Sequence, residues 1–146
     1  ISVYEPNEVE LFYSCPFPLT FMFPFNVLDR RFENVNMSKS KRYARSIFLQ
    51  GLLASRKKIR KNSPAELREL QEKYHKKITE YQLRQIDFAI SFVACSNKID
   101  YYLIGVDSLS QLKEILNLKI YKNTEMFNFS EIQKKYKKWI DPRKWN

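Results

Sequence analysis

The 146-residue chain is 44% hydrophobic and 15% aromatic, a composition that suits one globular domain with a sizeable core and excludes a disordered tail. Its 26 basic against 16 acidic residues leave a formal net charge of +10, which attracts polyanions, whether nucleic acid or a phosphorylated ligand. No apolar run reaches the roughly 18 residues needed to cross a bilayer, and no basic-then-apolar leader opens the chain, so a cytoplasmic protein without a membrane role is expected.

The elements follow in chain order. Ile1-Ser2-Val3-Tyr4 reads as a short strand with no lead-in, so the chain is expected to start at a cut edge. Asn7 to Ser14 forms a short helix, stopped by Cys15-Pro16-Phe17-Pro18, where two prolines break any regular element. Thr20 to Phe23 is an apolar strand closed by Pro24, and Phe25 to Glu33 leads out as a loop. Tyr43 to Leu49 is the next strand, and Gly51 to Ala54 opens a loop or short helix. Ser63-Pro64-Ala65-Glu66 is a capping box with proline at the first helical position, followed by an apolar stripe of Leu67, Leu70 and Tyr74. A second box at Thr79-Glu80-Tyr81-Gln82 predicts a helix to about Cys95, with Leu83, Ile86, Ala89, Ile90 and Val93 facing inward. Tyr101 to Val106 is a strand. The box at Ser108-Leu109-Ser110-Gln111 then starts a helix carrying Leu109, Leu112, Ile115 and Leu116 inward. A last helix begins near Ser130 with Ile132, Tyr136 and Trp139 as its stripe, and the tail docks by Trp145.

Strands alternate with helices, which predicts a parallel α/β arrangement over residues 1–146 as a single domain. Four strands equal half of a closed (β/α)8 TIM barrel of about 250 residues. An isolated half leaves bare strand edges and an unfilled interior, so a missing first half or a second copy is expected to complete it.

Function-bearing residues are sparse. Only two glycines occur, Gly51 and Gly105, where average usage near 7% gives roughly ten. Each ends an apolar run (Ala44 to Gly51, and Tyr101 to Ser108), and a glycine between a strand and a helix lets backbone amides approach a phosphate. The alternative at both is a plain turn. Cys15 and Cys95 are far apart and share no metal-ligand spacing with His75, which predicts two reduced, partly buried thiols and no metal site. The sequons at Asn36 and Asn128 carry little weight without a secreted context. Basic runs at 39–42, 56–61 and 134–138 are read as solvated surface, since no nucleic-acid motif accompanies them. His75, on a Lys-rich helix, is read as exposed.

Taken in order, Ile1-Ser2-Val3-Tyr4, Phe23-Pro24-Phe25-Asn26-Val27-Leu28-Asp29-Arg30-Arg31, Arg45-Ser46-Ile47-Phe48-Leu49-Gln50-Gly51 and Ile104-Gly105-Val106-Asp107-Ser108-Leu109-Ser110-Gln111-Leu112 resemble successive motifs of the aldo/keto reductases. They look most like the bacterial branch carrying Arg-Ser-x-Phe-Leu-Gln-Gly, and their order resembles strands five to eight of that family's (β/α)8 barrel. The resemblance covers nearly the whole chain. It implies an NADP or NAD cofactor across the C-terminal ends of the strands and a small carbonyl substrate. Ser2 matches the serine that bonds the carboxamide; Ser46, Phe48, Leu49 and Gly51 match the loop over the pyrophosphate. Gly105, Asp107, Gln111 and Glu114 match the loop and helix start that hold the adenosine end.

The departures are specific. Val3 stands where the family usually has asparagine, Met22 where it usually has glutamine, and Arg45 where an aromatic ring commonly stacks on the nicotinamide. Losing two hydrogen-bonding partners in a buried site costs about 1–3 kcal/mol each. Asp107 opposes a 2′-phosphate and so favours NAD unless lysines compensate. The stretch between Arg31 and Arg45 is several residues shorter than the family's helix. The family's Asp, Tyr, Lys and His tetrad belongs to the first four strands, so no catalytic residue carries over to this chain. The leading expectation is the cofactor-binding half of an NAD(P)H-dependent reductase. The alternatives are a non-catalytic remnant binding a nucleotide or a protein, and, on charge alone, a nucleic-acid-associated module.

Overall fold

The computed structural model describes residues 1–55, 63–124 and 127–145. Three strands, β1 (Thr20–Pro24), β2 (Lys41–Arg45) and β3 (Tyr101–Tyr102), form a parallel sheet in the order β1-β2-β3. Thr20 pairs with Lys41 and Pro24 with Arg45, while Tyr43 and Ala44 pair with Tyr101 and Tyr102. The expected first strand is reduced to a parallel bridge between Ser2 and Met22, held by Val3 N to Met22 O (2.9 Å) and Met22 N to Ile1 O (2.8 Å). Spatial order therefore equals chain order, which is how consecutive β-α units lay down the wall of a barrel.

The helices are α1 (Asn7–Glu10), α2 (Ala65–Glu80), α3 (Gln85–Ala94), α4 (Leu109–Leu116) and α5 (Ser130–Lys135), followed by 3-10 turns at Lys137–Ile140 and Pro142–Lys144. Side chains alternate across each strand. Phe21, Phe23 and Ala44 turn into the core, where Phe23 stacks on Phe32 at 4.6 Å and Tyr74, Leu67, Leu70, Ile78 and Phe88 from α2 and α3 are fully buried. The opposite face presents Thr20, Met22, Lys41, Tyr43 and Tyr101, none of them buried. A parallel sheet is ordinarily covered on both faces; this one is covered on one, as in an arc of an α/β barrel. Among the described residues no helix is long and apolar enough to cross a membrane, and both cysteines are free and partly buried, as expected.

Several expectations are corrected. The run Tyr43 to Leu49 stops being a strand at Arg45, because Ser46 takes φ +56° and turns the chain. Ile47 and Leu49 are apolar because they are buried beneath a loop, a pattern that periodicity cannot separate from a strand. Tyr101 to Val106 is paired only as far as Leu103, whose N–H donates to Ala44 O at 2.8 Å, since β2 offers no backbone beyond Arg45. Ser63 does not cap its helix: Pro64 stands at the N-cap, and no side chain supplies the cap bond.

Thr79 does not start a helix. Its hydroxyl donates back to His75 O (2.8 Å) inside α2, which runs on to Glu80. The stop is a Schellman turn with Gln82 at φ +56°, Gln82 N to Thr79 O (2.9 Å) and Leu83 N to Ile78 O (3.2 Å). Glutamine in place of glycine hides that stop from sequence. Leu109, Leu112 and Leu116 do not point inward either: they are 66%, 39% and 74% exposed, and α4 buries no residue completely. The tail does dock by Trp145, whose indole N–H donates to Trp139 O at 2.9 Å.

Candidate functional site

Among the described residues, positive φ angles cluster in the loop after β2. Ser46, Leu49, Gln50 and Gly51 all have positive φ (56°, 47°, 54° and 85°), a conformation costly for the three that carry a side chain. It persists because neighbours hold it. The buried Asn26 side chain, just past β1, donates to Ser46 O at 3.1 Å and accepts from the N–H groups of Leu28 and Asp29. From α2, a ring nitrogen of His75 lies 3.0 Å from Leu52 O and Gln71 Nε2 donates to Ser55 O at 3.3 Å. His75 is thus half-buried and bonded to the loop, where exposure was expected. Asn26, Gln71 and His75 were not recognisable as loop supports, because their partners are carbonyls distant in sequence.

The facing wall comes from the segment after β3. Ser108 caps α4 as its box predicts, accepting from Gln111 N at 3.2 Å, while Gln111 Oε1 accepts from Asp107 N at 2.8 Å. Between the two walls lies an open cleft of about 760 Å³ with Ile86 of α3 and Ile115 of α4 on its lining. Of the residues singled out from sequence, Ser46, Phe48, Gly51, Gly105, Asp107, Gln111 and Glu114 line this cleft together. Leu49 lies beneath the loop, 1% exposed. Ser2 is exposed on the sheet edge beside Met22 and outside the cleft.

The two glycines differ physically. Gly51 needs its residue type for its φ of +85°. Gly105 does not: its φ is ordinary and a Cβ there would meet nothing within 4 Å. The fold leaves Gly105 unconstrained, so its bare backbone is available to something entering the cleft. Nearby, the first turn of α4 presents N–H groups at the positive end of the helix dipole. Among the described residues lining the cleft the only charged side chains are Asp107 and Glu114, with Arg84 reaching Glu114 at 3.9 Å. The cleft therefore offers backbone amides to a phosphate, and carboxylates to a hydroxyl-rich group. The basic run at 56–61 lies outside the described residues.

No family model matches the chain, and no curated protein is similar to it in sequence. Among solved structures, the aldo-keto reductase AKR11C1 from Bacillus halodurans, in its holo form, superposes with a TM-score of 0.66 over 92% of this chain and 48% of that one, at 18% identity. Its apo form gives the same score and identity over 92% and 49%. The likeness is one of fold. The chain spans about half the length of the structures it matches, and its three parallel strands and helices are laid out as in part of an aldo-keto reductase barrel.

Proposed function

We propose that this chain is the cofactor-holding half, strands five to eight, of an aldo/keto reductase-like (β/α)8 barrel that reduces a small carbonyl substrate. The observation that carries the reading is the cleft, where the loop after β2 and the cap of α4 face each other with a sterically unneeded glycine, Gly105, on its wall. The residues fit a nicotinamide dinucleotide. The first-turn amides of α4 suit a phosphate, Gln111 and Glu114 the adenosine end, and Phe48 and Ile86 an apolar ring face. When bound, NAD(P)H supplies the hydride for the carbonyl carbon. The chain's own residues bind and orient; the proton donor belongs to the half that carries the family's tetrad. Asp107, with no basic partner among the described residues, and Glu114, which Arg84 reaches at 3.9 Å, favour NADH over NADPH.

The completing half is the first partner this reading requires. The uncovered sheet face around Tyr43 and Tyr101, and the exposed leucines of α4, are the surfaces it would cover; a second copy is the other way to cover them. Two free thiols suit the reducing cytoplasm. A second reading, a non-catalytic nucleotide- or protein-binding remnant, is favoured by Val3, Met22 and Arg45 standing where hydrogen-bonding and stacking partners of the nicotinamide are expected. Titration with NADH and NADPH, followed by reduced-nicotinamide fluorescence, tests the first reading. Saturable enhancement, tighter for NADH, is expected; no saturable change with either at millimolar cofactor removes it.

A further inference from the structure

Three guanidiniums converge at the C-terminal end of the sheet, and their partners are unequal. Arg31 is held by Asp29 (2.9 and 2.8 Å) and by both oxygens of Glu5 (2.9 and 3.0 Å). Arg143 is held by Asp141 (2.6 to 3.0 Å) and by Glu5 (2.9 Å). Arg45, the last residue of β2, has no carboxylate in ion-pair range among the described residues. It donates only to Val3 O at 3.2 Å and Ser46 Oγ at 3.4 Å, and lies 4.0 Å over the Tyr4 ring. Two of its five N–H donors are used, both at long range.

These residues surround a small cavity of about 80 Å³, walled by Tyr4, Pro24, Arg45, Ser46, Gln50 and the turn at Asp141–Arg143. That volume holds several waters and so has room for a carboxylate. Asp141 is bonded by the Arg143 fork, and with Asp29 and the shared Glu5 the three carboxylates of the cluster balance its three guanidiniums, so it is the unused donors of Arg45 and not a surplus of charge that an anion would find there. Ser46 and Gln50 belong also to the lining of the large cleft, so the small cavity and the large one share a wall.

We propose that Arg45 is the receptor for the carboxylate of a small carbonyl substrate, the planar fork taking both oxygens while the carbonyl end points toward the large cleft. A guanidinium suits this role better than an ammonium, because it is pre-shaped for two parallel bonds and can stay stacked on Tyr4 while making them. The carbonyl part of this inference rests on the reductase reading above; the anion site stands on geometry alone.

The test is a titration of the full chain, 15N-labelled, with glyoxylate, with neutral propionaldehyde and with inorganic phosphate, following the Arg45 Nε–H and the Ser46 and Gln50 amides. Saturable shifts at these groups with glyoxylate are expected, none with propionaldehyde, at least tenfold weaker affinity in Arg45→Gln and an intermediate loss in Arg45→Lys. Equal response to propionaldehyde, unchanged affinity in Arg45→Gln, or unsaturating shifts spread over all basic residues would overturn the site. Phosphate binding more tightly than glyoxylate at Arg45 would overturn the substrate assignment in favour of a cofactor phosphate. The wild-type titration does not depend on the variants folding. NADH is titrated in parallel: loss of NADH binding with glyoxylate still seated removes the carbonyl part alone, whereas the converse removes the anion site and spares the reductase reading.

Discussion

The side chain of Asn26, wholly buried, donates to the carbonyl of Ser46 at 3.1 Å and so ties the turn after one strand to the loop after the next. A single amide here serves three backbone groups, two N–H donors and one carbonyl. The loop that lines the cleft is held in shape by this residue against its own preferences, which disfavour the positive φ angles of Ser46, Leu49 and Gln50.

Replacing Asn26 by alanine strands the N–H groups of Leu28 and Asp29, while Ser46 O keeps the bond from Leu49 N–H at 2.9 Å. Buried groups left unpaired cost about 1–3 kcal/mol each, so Asn26→Ala is expected to lose about 2 kcal/mol or more in urea denaturation. Asn26→Asp, which keeps the two accepted bonds and loses the donated one, falls between that variant and wild type. A loss under about 1 kcal/mol in Asn26→Ala would show that the loop holds itself.

The glycines predict opposite outcomes. Gly51→Ala forces a side chain to φ +85° and is expected to cost about 1–2 kcal/mol. Gly105→Ala meets nothing in the structure, so its melting temperature stays within error or rises slightly as the unfolded chain loses freedom. Its NADH affinity falls at least tenfold if backbone access is the reason for glycine. Paired thermal melts and fluorescence titrations on the two variants decide it.

Leu109 and Leu116 on α4 face solvent in the isolated chain. Changing both to glutamate therefore leaves chemical stability within about 0.5 kcal/mol of wild type, the usual range for surface substitutions. Association with a completing half-barrel, or with another copy, is lost in the same variant, as read by sedimentation or light scattering. A large destabilisation of the monomer would mean that the helix packs inward after all.

The C-terminal segment is expected to loosen in acid. Lys135 donates to Glu69 at 2.9 Å and Lys73 lies 3.2 Å from the same oxygen, which holds the Glu69 carboxyl down to about 2, and Arg143 holds Asp141 below its ordinary range. A depressed carboxyl contributes stability that is complete above its unfolded value, 4.5 for Glu69, and is lost as pH falls through its folded value. Both tryptophans, Trp139 and Trp145, lie in this segment. Their emission should shift to the red between about pH 4.5 and 2, with high salt reducing the part that rests on Glu69, because its pair with Lys135 is exposed whereas Asp141 is buried. Glu69→Gln is expected to flatten the profile in that window; an identical profile would place the acid sensitivity elsewhere.

Much of the architecture was readable from residue order, because it rests on local rules. Alternating apolar runs, the prolines at 16, 18 and 24, and the Ser108 cap announce parallel β-α units, and Gly51 and Gly105 mark where backbone is laid bare. Where one residue type serves two conformations, local rules fall silent. Gln82 closes a helix as glycine would, Ile47 and Leu49 are apolar under a loop as they would be in a strand, and the leucines of α4 are spaced for a core that this chain does not supply.

What folding added is the set of contacts between residues far apart in the chain. Asn26 against Ser46, His75 against Leu52, and Arg45 against Tyr4 depend on which strands become neighbours, and a side chain's spacing cannot announce a partner 20 to 41 positions away. The order of the elements was written in their composition; the shape of the cleft, and an arginine beside it with no carboxylate partner among the described residues, emerged only when those elements were packed.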